Sequence, residues 1–275
     1  MHLVTDRPLK PKRRKSLVGQ FVLAVASCYL IFCVAFTLIE IPTCTLDNLI
    51  AWGQTKIHTL LSVCSVEVVT FIKKYCPQLL VEQAAYKLSS YCGLAPLSIV
   101  LGYVLGARMA VAAFIMFLIL GTFGPWINFY PFANGGGLKY YTEPTFGYLV
   151  GLVLAAYLSG KITRERRTSL TQVTAVVLGC AAVHLSGVIY LFGAYLTVYL
   201  TEGSKNFFEW QPWIFQYVRN LTWYSLPYDL IFSLMLVGLA FPLRLFVDTM
   251  TIRNNHARSR KPTRKSELKE EVGVS

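Results

Sequence analysis

Six long apolar blocks, nearly free of charge, constrain this chain more than any other feature. They cover about residues 17–41, 94–106, 109–124, 144–160, 170–200 and 225–247. A hydrocarbon core takes roughly 20 apolar residues as a helix. Lipid offers no partner to an unpaired backbone N–H or C=O, so each block must satisfy its own, which a helix does and an open sheet does not. Composition agrees, at 55% hydrophobic and 15% charged residues, against about 25% charged in a soluble domain. The expectation is an all-α, polytopic membrane protein with six transmembrane helices and an extra extracytoplasmic amphipathic insert.

The net charge of +12 lies in tails and short loops. Residues 1–16 carry Lys10, Lys12, Arg13, Arg14 and Lys15, with no small-residue cleavage site after them. Arg108 and the loop with Lys161, Arg164, Arg166 and Arg167 are basic, as is the tail 248–275, which is expected to be disordered. With six spans these segments share one side, and the positive-inside rule makes it the cytoplasm. The predicted organisation is a basic cytoplasmic tail (1–16), a six-span membrane domain (17–247) and a second cytoplasmic tail (248–275), in the cell membrane. Basic loops of this kind are a topology signal, and nothing resembles a nucleic-acid-binding module, so no nucleic acid partner is expected.

Residues 43–91 differ from the rest. From 46 to 72 the apolar side chains Leu46, Leu49, Ile57, Leu60 and Val68 share one helical face, with Asp47, Gln54, His58 and Ser62 on another. A weaker amphipathic piece follows Pro77 and reaches about residue 90. Both are predicted as interfacial helices outside the bundle. Cys44, Cys64, Cys76 and Cys92 lie in or beside this insert, and its outward placement is compatible either with disulfides or with free thiols.

The outer side also carries the polar and aromatic chemistry. Residues 131–151, PFANGGGLKYYTEPTFGYLVG, join a glycine-rich turn to the start of an apolar helix and read as the lid and floor of a small-molecule site. Thr145 and Tyr148 open that helix, either as cap and belt residues or as ligand contacts. Lys139 is the one cation in the loop, either solvated or facing a ligand carboxylate. Asp229 opens the last block, favoured there by the helix dipole or by a ligand donor. His184 lies within the fifth block, serving a backbone carbonyl or handling a proton or ligand, and Tyr190 lies nearer its outer end. Gly147, Gly151, Ala155 and Ser159 recur every four residues and suit close helix packing. No phosphate-cradling loop or paired-His metal helix appears, so no enzyme activity, metal or cofactor is expected.

The ordered motifs GTFG (121–124), PFANGGG (131–137), PTFGYLVG (144–151), IYLFGAYL (189–196) and LPYDLI (226–231) resemble those of the BioY family. The resemblance implies a six-helix substrate-binding component with an outward-facing biotin site. It also implies a coupling subunit and two ATPases as partners, although some members act alone. Thr145, Gly147 and Tyr148 match a block of that family, and Asp229 matches the Asp opening its last helix. A biotin site would use Asp229 for the ureido N–H groups, Thr145, Tyr148 or Asn134 for the carbonyl, and Lys139 and Tyr190 as further contacts. Glu143 and Phe146 stand where the family usually has glycine, and Phe232 where it usually has lysine.

Overall fold

The computed structural model describes residues 17–75, 85–128, 130, 132, 136–143, 145–164, 168–202 and 212–259. Helices dominate: α1 (Leu17–Phe36), α2 (Leu46–Leu61), α3 (Val66–Tyr75), α4 (Leu94–Leu105), α5 (Ala107–Phe123), α6 (Phe146–Ile162), α7 (Ser169–Glu202), α8 (Pro212–Val218) and α9 (Leu226–Ser259). A π-type turn, Arg219–Trp223, joins α8 to α9.

Three helical stretches among the described residues are long and apolar enough to cross a membrane: Ala107–Ile127, Ser169–Thr197 and Ile214–Pro242. Three shorter apolar helices, Phe21–Phe36, Leu94–Leu105 and Phe146–Ile162, pack beside them. Large apolar side chains such as Phe21, Tyr29, Leu185, Ile189 and Leu239 point outward. In a chain of this hydropathy such a surface faces lipid, and the molecule is a membrane protein.

The structure corrects the all-α expectation at one place. The first apolar block does not stay helical to residue 41. Helix α1 ends at Phe36, and β1 (Leu38–Pro42) pairs antiparallel with β2 (Leu88–Cys92), Ile39 facing Tyr91. Pro42 ends its strand, where a missing N–H costs no central ladder bond. The predicted amphipathic helix over 46–72 is two helices, broken at residues 62–65. The piece expected after Pro77 ends as strand β2, while residues 76–84 lie outside the described residues. At the other end α9 runs on to Ser259, into the stretch expected to be a disordered tail. The described cysteines are free thiols: Cys28, Cys33, Cys44, Cys64, Cys92 and Cys180.

Helix α6 forms the centre of the bundle, packed along α7, α4 and α5. Its small-residue stripe explains the fit. A Cβ on Gly151 would lie 2.7 Å from Val183 Cα of α7, and one on Gly147 would overlap Tyr190. Further along the stripe, Ser159 Oγ donates to the Ile99 carbonyl of α4 (2.7 Å). On the facing helix, a Cβ on Gly102 would overlap the Ala156 carbonyl oxygen. Such contact brings backbones close enough for dispersion to hold helices together where lipid offers no hydrophobic drive.

Candidate ligand site at the head of α9

Asp229 lies in the first turn of α9 and is 3% exposed. A carboxylate this deep must be partnered, and two side chains from distant elements supply the partners. Tyr91 Oη of β2 donates to Oδ1 at 2.6 Å. His184 Nε2 of α7 lies 3.1 Å from Oδ2. Both partners are also buried, each 4% exposed. Burial first, then the adjacent Asp229 charge, pushes the Tyr91 phenol far above its ordinary pKa, so it remains a donor. The other imidazole nitrogen, His184 Nδ1, has no hydrogen-bond partner among the described residues.

The hairpin grips this helix start from both strands. Tyr228 Oη donates to the Pro42 carbonyl (2.7 Å), while Tyr91 reaches Asp229. Tyr91, Tyr228 and Phe232 form an aromatic cluster, with ring centroids 5.5–6.2 Å apart. Phe232, one turn after Tyr228, therefore faces the hairpin. One turn beyond Asp229, buried Ser233 lies 4.0 Å from Cys180 Sγ.

Tyr148 connects this cluster to α6. Its ring meets the His184 ring edge-on, 6.3 Å between centroids, and rests on Gly187, where a Cβ would lie 2.5 Å from the ring. Its hydroxyl pairs with Thr222 Oγ1 of the π-type turn (2.8 Å). Tyr148 and Asp229, chosen separately from the sequence, thus meet across His184.

The remaining sequence candidates fall elsewhere. Thr145 does not cap α6 with its side chain; its Oγ1 lies 3.2 Å from Tyr140 Oη in the preceding 3-10 turn, Leu138–Thr142. Tyr190 packs over Gly147 and lies 5.7 Å from the Phe146 ring. Lys139 sits in the 3-10 turn, with its side chain outside the described residues, as is the whole of Asn134. Around the turn, Gly137 N–H donates to the Gly121 carbonyl (3.0 Å), and buried Phe132 packs between Phe117 and Tyr140. Phe132 and the 136–143 turn are therefore folded onto the end of α5.

Sequence reasoning left two members of the cluster out of the site. His184 stood out as an intramembrane imidazole but without its partner. Tyr91 lies at the end of the insert, just past the piece expected to be helical, and only the strand pairing brings it to α9. Beyond the cluster, a polar cavity of about 450 Å³ opens beside the hairpin, α2 and the π-type turn. A narrow second cavity shares Ser89, Asn220 and Tyr224 with it and extends to Tyr91.

Known proteins resemble this chain over part of its length. It is 35% identical over 106 residues to "Probable biotin transporter BioY" of Lysinibacillus sphaericus, covering 38% of this chain and 52% of that protein. It is 30% identical over 112 residues to "Biotin transporter BioY" of Rhizobium etli, covering 38% of this chain and 56% of that one. The chain thus spans about half the length of the curated relatives it matches. A crystal structure of the S-component for biotin from an ECF-type ABC transporter aligns over 82% of this chain and 91% of that chain. Its identity is 14% and its TM-score 0.47. The family model described as "BioY family" matches residues 95–247. That match takes in more than half of the chain, from the second residue of α4 well into α9, with Tyr148, His184 and Asp229 inside it, and the chain belongs to the BioY family.

Proposed function

We propose that this chain is the substrate-binding membrane component of a biotin transporter, with the Asp229 cluster as the inner end of its ligand site. The family match through the helices that build this cluster carries the reading. The relatives named as biotin transporters support biotin as the ligand. In this reading the six apolar helices α1, α4, α5, α6, α7 and α9 all cross the cell membrane, and both termini lie in the cytoplasm. The basic residues Arg108, Lys161 and Arg164 sit on the cytoplasmic side, while the hairpin, the 131–143 loop and the π-type turn face outward.

The chemistry fits an oriented ligand. A carboxylate offers about four lone-pair sites, and Tyr91 and His184 use one on each oxygen. Asp229 can therefore take a ureido N–H beside them or in exchange for the Tyr91 hydroxyl. Tyr148, Thr145 and Asn134 are the proposed partners of the ureido carbonyl, with Tyr190 and Lys139 as further contacts. The bicycle of biotin is apolar and suits the aromatic cluster around Tyr91. A few oriented polar groups in an apolar cleft is the general form of a small-ligand site.

The chain transports rather than catalyses. It works with a coupling subunit and two ATPases, or alone. Uptake of labelled biotin by cells making this chain, with and without such partners, separates the two modes. Binding of biotin to the purified, folded protein tests the assignment directly; absence of binding overturns it. Phe232 stacked in the aromatic cluster favours one second reading, a related vitamin in place of biotin. A competition panel of vitamins against labelled biotin distinguishes the two.

A further inference from the structure

The cavity beside the hairpin has a charge asymmetry that the Asp229 cluster does not explain. Its volume of about 450 Å³ falls within the roughly 300–1,000 Å³ of small-ligand sites. Its walls come from the base of the hairpin (Thr43, Lys87), the first turn of α2 (Asn48) and the π-type turn (Arg219, Asn220, Tyr224). Two of the lining residues are cations and none is an acid. Among the described residues neither Lys87 nor Arg219 has a carboxylate partner; the carboxylate contact found there is Asp229 with His184.

The two cations are carried differently. The Lys87 backbone is pinned on two sides: its N–H donates to Asn48 Oδ1 (3.3 Å), and its carbonyl accepts from Thr43 N–H (3.0 Å). The residue itself lines the cavity. The Arg219 guanidinium stands 6.0 Å above the Tyr224 ring, a cation–π contact that limits its sweep without neutralising it. Hydroxyl and amide groups in the walls, two cations and no acid among the lining residues describe a site for an anion.

The cavity also leads somewhere. Ser89, Asn220 and Tyr224 line both it and the narrow second cavity, which has room for about one water (about 10 Å³) and borders Tyr91, the residue that donates to Asp229. The larger cavity is positive, and the Asp229 carboxylate lies buried behind Tyr91 at the far end of the narrow one. A ligand that displaces the Tyr91 hydroxyl from Asp229 would carry its acid outside and its N–H donors inside.

We infer that Lys87 and Arg219 form a carboxylate subsite that holds the acid tail of the ligand while its N–H end faces Asp229. This inference rests on the biotin reading for its ligand. Lys87, Thr43 and Asn48 precede the matched residues 95–247, so the subsite is built largely from chain outside the family match. Arg219 guanidinium can grip a carboxylate with two parallel N–H bonds, and Lys87 supplies a point charge. Both residues are exposed, so salt screens the attraction and it stays modest.

The test compares biotin with its uncharged amide on the purified full chain, in wild type, Lys87→Gln, Arg219→Gln, the double variant and Lys73→Gln as a remote control. At low salt the wild type and control should prefer biotin over the amide by about five- to tenfold. The double variant should bind the two within about twofold, by losing affinity for biotin and keeping its affinity for the amide. Retained affinity for the amide also shows that the variant is folded. Full discrimination in the double variant overturns the inference. A parallel arm uses pentanoate, with inorganic phosphate at matched ionic strength as the comparison for general anion binding. If the wild type binds neither biotin nor its amide, the biotin reading fails and pentanoate decides the subsite. Thermal stabilisation by pentanoate but not phosphate, lost in the double variant, supports it. No response, or the same response to both anions, overturns it.

Discussion

Two regions of the molecule are held together by opposite means. In the seam where α6 meets α4 and α7, the positions are set by what is missing: Gly102, Gly147 and Gly151 have no Cβ, and backbone and side-chain atoms of the facing helix occupy the space. At the head of α9 the positions are set by what is present, a carboxylate with a phenol and an imidazole as partners. The seam has one arrangement, because an interlocked backbone contact cannot be exchanged for another. The α9 head has spare hydrogen-bonding capacity and can exchange partners, as a ligand site requires. The difference suits the two regions to different work: the seam is a platform that fixes Tyr148 and His184, and the α9 head is the proposed place of binding.

The strongest way to break this division is to fill the seam. Gly102→Val would put side-chain atoms onto the Ala156 carbonyl and within 3.1 Å of the Gly160 nitrogen, and both obstacles are backbone. Overpacking of this kind costs about 3 kcal/mol or more where nothing can yield. The expected result is a large fall in the thermal midpoint of the detergent-purified protein, with loss of the monodisperse peak. A midpoint like wild type would show that the helices can separate at no cost and that the seam is no platform.

Asp229→Ala comes next and attacks the other region. It leaves the Tyr91 hydroxyl and His184 Nε2 buried without their partner, each at a cost of about 1–3 kcal/mol. Biotin binding should weaken by about tenfold or more, equivalent to at least ~1.4 kcal/mol. Asp229→Asn, which keeps shape and one acceptor, separates the two effects by recovering part of the stability. Unchanged biotin affinity in the folded alanine variant would remove Asp229 from the site.

Tyr91→Phe gives a smaller effect and sharpens the comparison. It keeps the ring packing on Tyr228 and Phe232 and removes one hydroxyl. The lost bond is to a charged group and costs about 1.5–3 kcal/mol at most. The vacated Oδ1 is then open to the ligand, so biotin affinity should hold or rise, as read by equilibrium binding alongside the thermal midpoint. A fall in affinity as large as that of Asp229→Ala would make Tyr91 a ligand contact in its own right.

These residues also mark what the sequence made legible. Long apolar blocks located α5, α7 and α9, because burial in lipid leaves few residue types to choose from. The stripe Gly147–Gly151–Ala155–Ser159 announced close packing because its spacing is a helical face. Asp229 and Tyr148 could be singled out as polar groups beside apolar runs. The hairpin could not. LIEIP continues an apolar block with no clean alternation, LSSYC is short and mostly polar, and the two pair across a long intervening insert. Tyr91 and Asp229 are 138 positions apart, so their contact is a product of tertiary packing that no local pattern carries. His184 lacked only its partner, which required knowing that α7 and α9 pack together.

The smallest predicted effect tests whether the seam, rather than glycine in general, is what matters. Gly193 lies in α7, the same helix that meets Gly147 and Gly151, yet a Cβ there would find nothing within 4 Å. Alanine adds no clash at that position and removes backbone freedom from the unfolded chain. Helix propensity alone favours Gly193→Ala by up to about 1 kcal/mol. In lipid, where the helix is already enforced by its own hydrogen bonds, most of that gain is forgone, and the thermal midpoint should stay level or rise slightly. Biotin binding should match wild type, since the added methyl faces away from the α6 contact. A destabilisation approaching that of Gly102→Val would show that this face of α7 is also covered by a close neighbour, and that the bundle has a second seam opposite the first.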